Sequence, residues 1–243
     1  MNTAIILAGG TGTRIGASIP KQFIEIQGKP ILAYTLDNFQ NHPEIHRIEV
    51  VCHRDWKDKV AEIKDRYGFD KIQWITDGGE TFQESVLNGV MYLKGKIDPE
   101  DIAVISFGVS PFTTEDIIHD GIRVASLHGN AISAEDSVLC TCIKDDEFST
   151  TQNLIRETIK GFSNPWCFRF GELCEAYEEG IRRGLLEKLE PHTTSLYLAL
   201  GKRLWFSKSH GHNFKITMKE DLERFEGLLL LKQKREAEEI SKD

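Results

Sequence analysis

Cysteine is scarce and poorly spaced for a framework. The five thiols (Cys52, Cys140, Cys142, Cys167 and Cys174) form an odd set without a C-x-x-C pair, which points to neither a disulfide scaffold nor a zinc site. A reducing cytoplasm is the expected setting. Long apolar runs are missing as well. The longest, Leu228 to Leu231, falls far short of a bilayer span, and the amino terminus enters Ile5-Ile6-Leu7 with no basic leader, so no membrane segment is expected. Basic charge is in deficit, with 30 Lys and Arg against 38 Asp and Glu, which argues against a nucleic-acid partner. Prolines number only seven, and no linker, repeat or low-complexity tract divides the 243 residues, so one α/β domain is expected over 1–243.

What is present is an alternation of β-branched runs and amphipathic stretches. Ala4 to Ala8, Ile48 to Cys52, Ile72 to Ile75 and Ile102 to Ile105 read as buried parallel strands. Pro30 to Phe39 and Lys57 to Tyr67 carry apolar residues at helical spacing between them. The order predicts a mostly parallel, Rossmann-like sheet with helices on both faces. Thr81 and Glu84 make a capping box that starts a helix after Gly78-Gly79, and Thr217 with Glu220 repeats the device before a helix that ends in a charged tail. The polar, turn-rich stretch at about 140–156 suits a projecting arm.

The chemistry concentrates after the first strand, in Ala8-Gly9-Gly10-Thr11-Gly12-Thr13-Arg14. Gly9, Gly10 and Gly12 let successive backbone N–H groups curl around an oxyanion with no side chain in the way. Neither a G-x-G-x-x-G fingerprint nor a Walker loop fits, because Ile15 stands where the former needs glycine and no Gly-Lys-Ser/Thr follows. Arg14 supplies a planar donor fork and Lys21 a compact charge just beyond the loop, a set that suits a triphosphate. His210-Gly211-His212, with no third ligand in view, reads as a solvated loop.

The glycine loop followed by Pro20-Lys21-Gln22-Phe23, the Gly78-Gly79-Glu80 and Ser85-Val86-Leu87-Asn88-Gly89 segment, Arg156, and Asn213-Phe214-Lys215-Ile216-Thr217 occur in that order along almost the whole chain. In this the sequence resembles the methylerythritol 4-phosphate and ribitol 5-phosphate cytidylyltransferases. The resemblance implies a nucleotidyltransferase fold and cytidylyl transfer from CTP to a sugar-alcohol phosphate, with release of pyrophosphate and help from Mg2+. It implies that Lys21 and Lys215, with Arg14, act at the reacting phosphates. Ala8, Gly9, Gly10, Thr11 and Gly12 would then cradle the triphosphate, and Gly79, Glu80 and Ser85 would meet cytosine and ribose. Arg156, Ser110 and Thr217 fall on the acceptor side, and the resemblance implies a homodimer whose arm reaches the partner's site.

The pattern breaks in one place. Ser106-Phe107-Gly108-Val109-Ser110-Pro111-Phe112 stands where the family carries His-Asp-Ala-Ala-Arg-Pro-Phe, so Phe107 replaces an aspartate and Ser110 an arginine. Phe82 replaces an arginine, Thr141 to Lys144 depart from Asp-Thr-Ile-Lys, and Ser163 to Trp166 depart from Gln-Thr-Pro-Gln. The metal ligands are therefore open, with Asp77, Glu80 and Glu115 as nearby carboxylates. A ribitol 5-phosphate-like acceptor is preferred; methylerythritol 4-phosphate, or CTP binding without turnover, are the alternatives, and a hexose 1-phosphate acceptor is disfavoured.

Overall fold

The computed structural model describes residues 1–10 and 19–240. In chain order the elements are β1 (Asn2–Ala8), the short β2 (Glu25–Ile26) and β3 (Lys29–Pro30), α1 (Ile31–Gln40), β4 (Arg47–Cys52), α2 (Lys57–Tyr67) and β5 (Ile72–Asp77). They continue with α3 (Phe82–Leu93), β6 (Ile102–Phe107), α4 (Glu115–His128), β7 (Asn130–Asp136), β8 (Cys142–Ile143) and β9 (Gln152–Asn153). Last come β10 (Lys160–Arg169), α5 (Phe170–Arg182), α6 (Thr193–Ala199), β11 (Phe206–Ser207) and α7 (Lys219–Ile240).

Seven strands form one sheet in the order β11-β7-β10-β6-β1-β4-β5. All pairings are parallel except those of β10, which runs antiparallel to both β6 and β7. The mostly parallel sheet expected from the sequence is therefore what forms, and its four expected strands are β1, β4, β5 and β6. Alternation along β1 shows why. Ala4, Ile6 and Ala8 pack into one cluster with Leu32, Leu36 and Phe39 of α1, Val60 and Ile63 of α2, and Ile118 and Ile122 of α4. Ile5 and Leu7 pack into the opposite cluster with Val86, Val90 and Leu93 of α3 and with Leu173 and Tyr177 of α5. A strand buried on both faces must be apolar at every position, and each fully buried aliphatic side chain contributes about 1.5–3 kcal/mol.

The helix boundaries follow local chemistry. Gly68, with φ at +67°, ends α2 in the left-handed region that glycine adopts without steric cost. The Thr81–Glu84 capping box forms in full at the start of α3. The second box is displaced by one residue. Asp221, rather than Glu220, accepts the N–H groups of Thr217 and Met218, at 2.7 and 2.8 Å, while the Thr217 hydroxyl turns back to the Lys215 carbonyl. With α7 starting at Lys219, it is Asp221 that occupies the third helical position from which a carboxylate reaches back.

Two features of this topology prepare a site. The chain passes from β1 to β4 and β5 on one side, then returns to place β6 on the other side of β1, so the strand order reverses between β1 and β6. Crevices outside the carboxyl ends of parallel strands at such a reversal are where ligands bind in open α/β sheets. The segment 140–156 holds the β8–β9 hairpin and is largely exposed, Phe148 and Ile155 included.

Candidate active site

Beyond the carboxyl ends of β1 and β6 lies a cavity of about 270 Å³, lined among others by Ala8, Gly9, Gly10, Lys21, Gly79, Glu80, Ser85, Phe107, Lys215 and Thr217. All of these but Phe107, nine residues in number, are candidate site residues from the sequence, and they converge on one crevice. Thr11, Gly12 and Arg14 lie outside the described residues. Ser110 is fully buried and lines neither this cavity nor the next, and its hydroxyl has no partner among the described residues. Arg156 sits exposed on the arm, 3.6 Å from the Glu157 carboxylate, and is likewise absent from both linings.

The convergence has identifiable causes. The Lys21 ammonium, buried, donates to the Ile216 carbonyl at 2.7 Å, a contact across 195 residues of sequence. Ile216 in turn donates its N–H to the Val109 carbonyl, just beyond β6, at 2.9 Å, and Gly108 donates to Leu7 of β1 at 2.8 Å. Gln22 donates to the Ala8 carbonyl at 2.6 Å and so fixes the point where the glycine loop leaves the strand. Gln22 was visible in the sequence only as part of a motif, with no signal for this role.

The glycines on the lining differ in what they require. A Cβ on Gly79 would meet the Glu84 Cβ at 2.3 Å, so packing against α3 alone demands glycine there. At Gly9 and Gly10 the nearest atoms to an added Cβ, Ser85 Oγ and Lys21 Cε, lie at 3.5 and 4.0 Å, ordinary contact distances. Packing among the described residues does not account for those two, and the space beside them leaves the backbone open to close approach. Ser85 shapes the opposite wall: its hydroxyl accepts the Gly79 N–H and donates to the Thr81 carbonyl, both at 3.0 Å. Glu84 takes up the N–H groups of Glu80 and Thr81. Much of the turn leading into α3 is thus bonded internally, and Lys21 and Lys215 are the cations of the described lining that can attract an anion.

A second cavity, of about 500 Å³, adjoins the first and shares Phe107 and Lys215 with it. Its walls are Phe162, Trp166, His192 and Phe214, with Glu135 as its carboxylate. Asn164 and Asn213 also line it, but their amides are engaged with each other and with Ser106, Thr113 and Ser163. Burial lowers the His192 pKa and Lys215 adds to the effect, while Glu190 opposes it. Trp166 stood out in the sequence only as part of a departure from the resembled motif, and His192 and Glu135 carry no functional signal there, because an isolated ring and a single acid are indistinguishable from core and surface residues.

The described residues contain no cluster of three or more His, Cys, Asp or Glu suited to a metal ion. Asp77 pairs with Lys57 at 3.3 Å, Glu115 lines neither cavity, and Glu80 is the carboxylate on the wall of the first. One carboxylate suits a magnesium ion that keeps water and phosphate oxygens as its other ligands. No helix among the described residues is long and apolar enough to cross a membrane.

The chain is similar to known proteins over most of its length. The family model for IspD, 2-C-methyl-D-erythritol 4-phosphate cytidylyltransferase, matches residues 2–230. A ribitol-5-phosphate cytidylyltransferase of Lacticaseibacillus paracasei is 34% identical over 229 residues, covering 94% of this chain and 98% of the relative. A 2-C-methyl-D-erythritol 4-phosphate cytidylyltransferase of Clostridium novyi is 34% identical over 233 residues, covering 94% and 96%. Among solved structures, 4-diphosphocytidyl-2C-methyl-D-erythritol synthase of Anaerococcus prevotii shares the fold, with a TM-score of 0.79 at 24% identity over 95% of this chain and 98% of that one.

Proposed function

Because the chain belongs to the 2-C-methyl-D-erythritol 4-phosphate cytidylyltransferase family, we propose that it transfers a cytidylyl group from CTP to a sugar-alcohol phosphate resembling ribitol 5-phosphate. The observation that carries this reading is the meeting of Gly9, Gly10, Lys21 and Lys215 on one cavity, with Lys215 also opening onto the second.

In this reading the first cavity takes CTP. Ala8, Gly9 and Gly10, continued by Thr11, Gly12 and Arg14, cradle the triphosphate, while Gly79 and Glu80, held in shape by Ser85, face cytosine and ribose. The acceptor occupies the second cavity. Its phosphate oxygen attacks the α-phosphorus, the bond from that phosphorus to the bridging oxygen breaks, and pyrophosphate leaves with the electron pair. No protein nucleophile is needed, so the chain's contribution is alignment and charge stabilisation. Lys21 approaches from the nucleotide side and Lys215 from the boundary, where the attacking and attacked phosphates meet. Thr217 lies beside them on the same wall. Glu80 would hold a magnesium ion, which would help to neutralise the charge of the leaving pyrophosphate.

The acceptor assignment rests on the Lacticaseibacillus relative and on an acceptor side without the charges of Phe107's and Ser110's counterparts in the resembled motif. Arg156, on the β8–β9 arm, is assigned to the acceptor phosphate of a partner subunit in a homodimer, and a monomer in light scattering would contradict that assignment.

The test is pyrophosphate release from CTP and magnesium with ribitol 5-phosphate, methylerythritol 4-phosphate and other polyol phosphates. Release with ribitol 5-phosphate is expected. Release only with methylerythritol 4-phosphate would move the protein to isoprenoid synthesis, and CTP binding without release from any acceptor would make it a non-catalytic CTP-binding protein.

A further inference from the structure

We propose that Phe107 is a positioning residue for Lys215, holding the ammonium by its ring face at the boundary of the two cavities; this deepens the cytidylyl-transfer reading and rests on it. The Lys215 ammonium lies 3.8 Å from the Phe107 ring centroid and 5.6 Å from that of Phe82. Phe107 and Lys215 are the two residues common to both linings. A cation held there by an aromatic face is attracted by the ring quadrupole, and the ring itself brings no negative charge to neutralise it.

The platform under the ammonium is built rather than incidental. Phe82 comes from the start of α3, Phe107 from the end of β6, Trp166 from β10 and His192 from the residue before α6. Phe82 lies 5.3 Å from Phe107, and Trp166 meets both at 5.8 Å in edge-to-face geometry. His192 completes the group at 5.5 Å from Phe82 and 5.8 Å from Trp166. Trp166 is itself anchored by its indole N–H on the Ser163 carbonyl at 2.6 Å. Rings from α3 and β10 thus flank Phe107, with His192 packed against both of them, and the end of an exposed, four-carbon lysine stem lies over its face.

Lysine stems carry large rotamer freedom, so confining the ammonium before substrate arrives favours the step in which it acts and leaves CTP binding unaltered. Phe107→Leu, which keeps an apolar wall but removes the ring face, is expected to lower kcat about 3- to 10-fold with the KM for CTP unchanged. Phe107→Tyr, which keeps the face, is expected to restore kcat to within about twofold. A second readout needs no turnover: after reductive 13C-methylation, the Lys215 dimethylamine resonance, identified by its loss in Lys215→Arg, is expected to be ring-shifted in the wild-type protein. That shift should vanish in Phe107→Leu and persist in Phe107→Tyr.

An unshifted Lys215 resonance in the wild-type protein would overturn the proposal, as would equal loss of kcat in the leucine and tyrosine variants. Absence of pyrophosphate release by the wild-type protein with every acceptor would instead contradict cytidylyl transfer, and the resonance would then decide the positioning by itself.

Discussion

The two cavities share a wall but are built from different materials. Away from the shared wall the first is mainly backbone and short polar groups, positioned by hydrogen bonds with Gln22, Ser85 and Glu84, and it carries a buried lysine, Lys21. The second is made of aromatic faces around two asparagine amides engaged with their neighbours, with charge at Glu135 on one side and Lys215 on the other. Backbone amides and fixed cations suit a ligand whose triphosphate never varies. Ring faces read shape, and they can be exchanged for one another without leaving a charge unpaired. Under the proposed function, the first cavity would keep the nucleotide chemistry and the second would carry the altered acceptor recognition.

Removing the buried charge of the first cavity should have the largest effect. Lys21→Met is expected to cost about 10² to 10³ in kcat/KM for CTP, the scale of losing a preorganised donor to a developing charge. The loss of its bond to the Ile216 carbonyl is a smaller matter of stability, followed by the unfolding midpoint. An effect confined to the acceptor KM would break the division between the cavities. Next, Gly79→Ala must displace the start of α3, since its Cβ would meet Glu84 at 2.3 Å. Overpacking of this kind costs about 1–3 kcal/mol. Calorimetric titration is expected to show CTP affinity weakened roughly tenfold, consistent with about 1.4 kcal/mol of that strain reaching the ligand.

On the other side of the shared wall, Glu135→Gln is expected to raise the acceptor KM about tenfold, the worth of one hydrogen bond to a charged group, with the KM for CTP unmoved. Equal shifts in both constants would merge the two cavities into one functional site.

The smallest effect on turnover is expected from Glu49, which lines neither cavity. Burial pushes its carboxyl from the ordinary 4.5 up to about 8, and the hydrogen bond from Thr76 only partly opposes this. The folded protein therefore keeps a proton that the unfolded chain releases. The resulting stability is complete below pH 4.5 and is lost as pH rises through about 8. Glu49→Gln cannot ionise, so wild-type stability should fall relative to the variant between about pH 5 and pH 8, by at most about 1.4 kcal/mol per pH unit, with both KM values unchanged. Parallel unfolding curves across that range would contradict it.

The same contrast governs what could be read in the sequence. β1, β4 and β6 are legible because burial on both faces makes them largely apolar runs, and the edge strand β5 because Ile72, Trp74 and Ile75 supply enough apolar surface for its one packed neighbour. β10 is not, because its first half is exposed and polar and its register shifts between Phe162 and Trp166, so no single period runs through it. The first cavity is legible because its parts lie in short contiguous segments, Ala8 to Lys21 and Gly78 to Ser85. The second is assembled from Phe107, Glu135, Trp166 and His192, each on its own element, and only the fold brings them together. The substitution of Phe107 for an acidic residue reads in sequence as a loss; in the fold the ring lies 3.8 Å below the Lys215 ammonium.

The most direct test of the retained nucleotide side is calorimetric titration of the wild-type protein with CTP, UTP, ATP and GTP in the presence of magnesium and the absence of any acceptor. One saturable site that prefers CTP, with the same affinity in Glu135→Gln, is the predicted result. Absence of CTP binding, or equal affinity for all four nucleotides, would contradict the account.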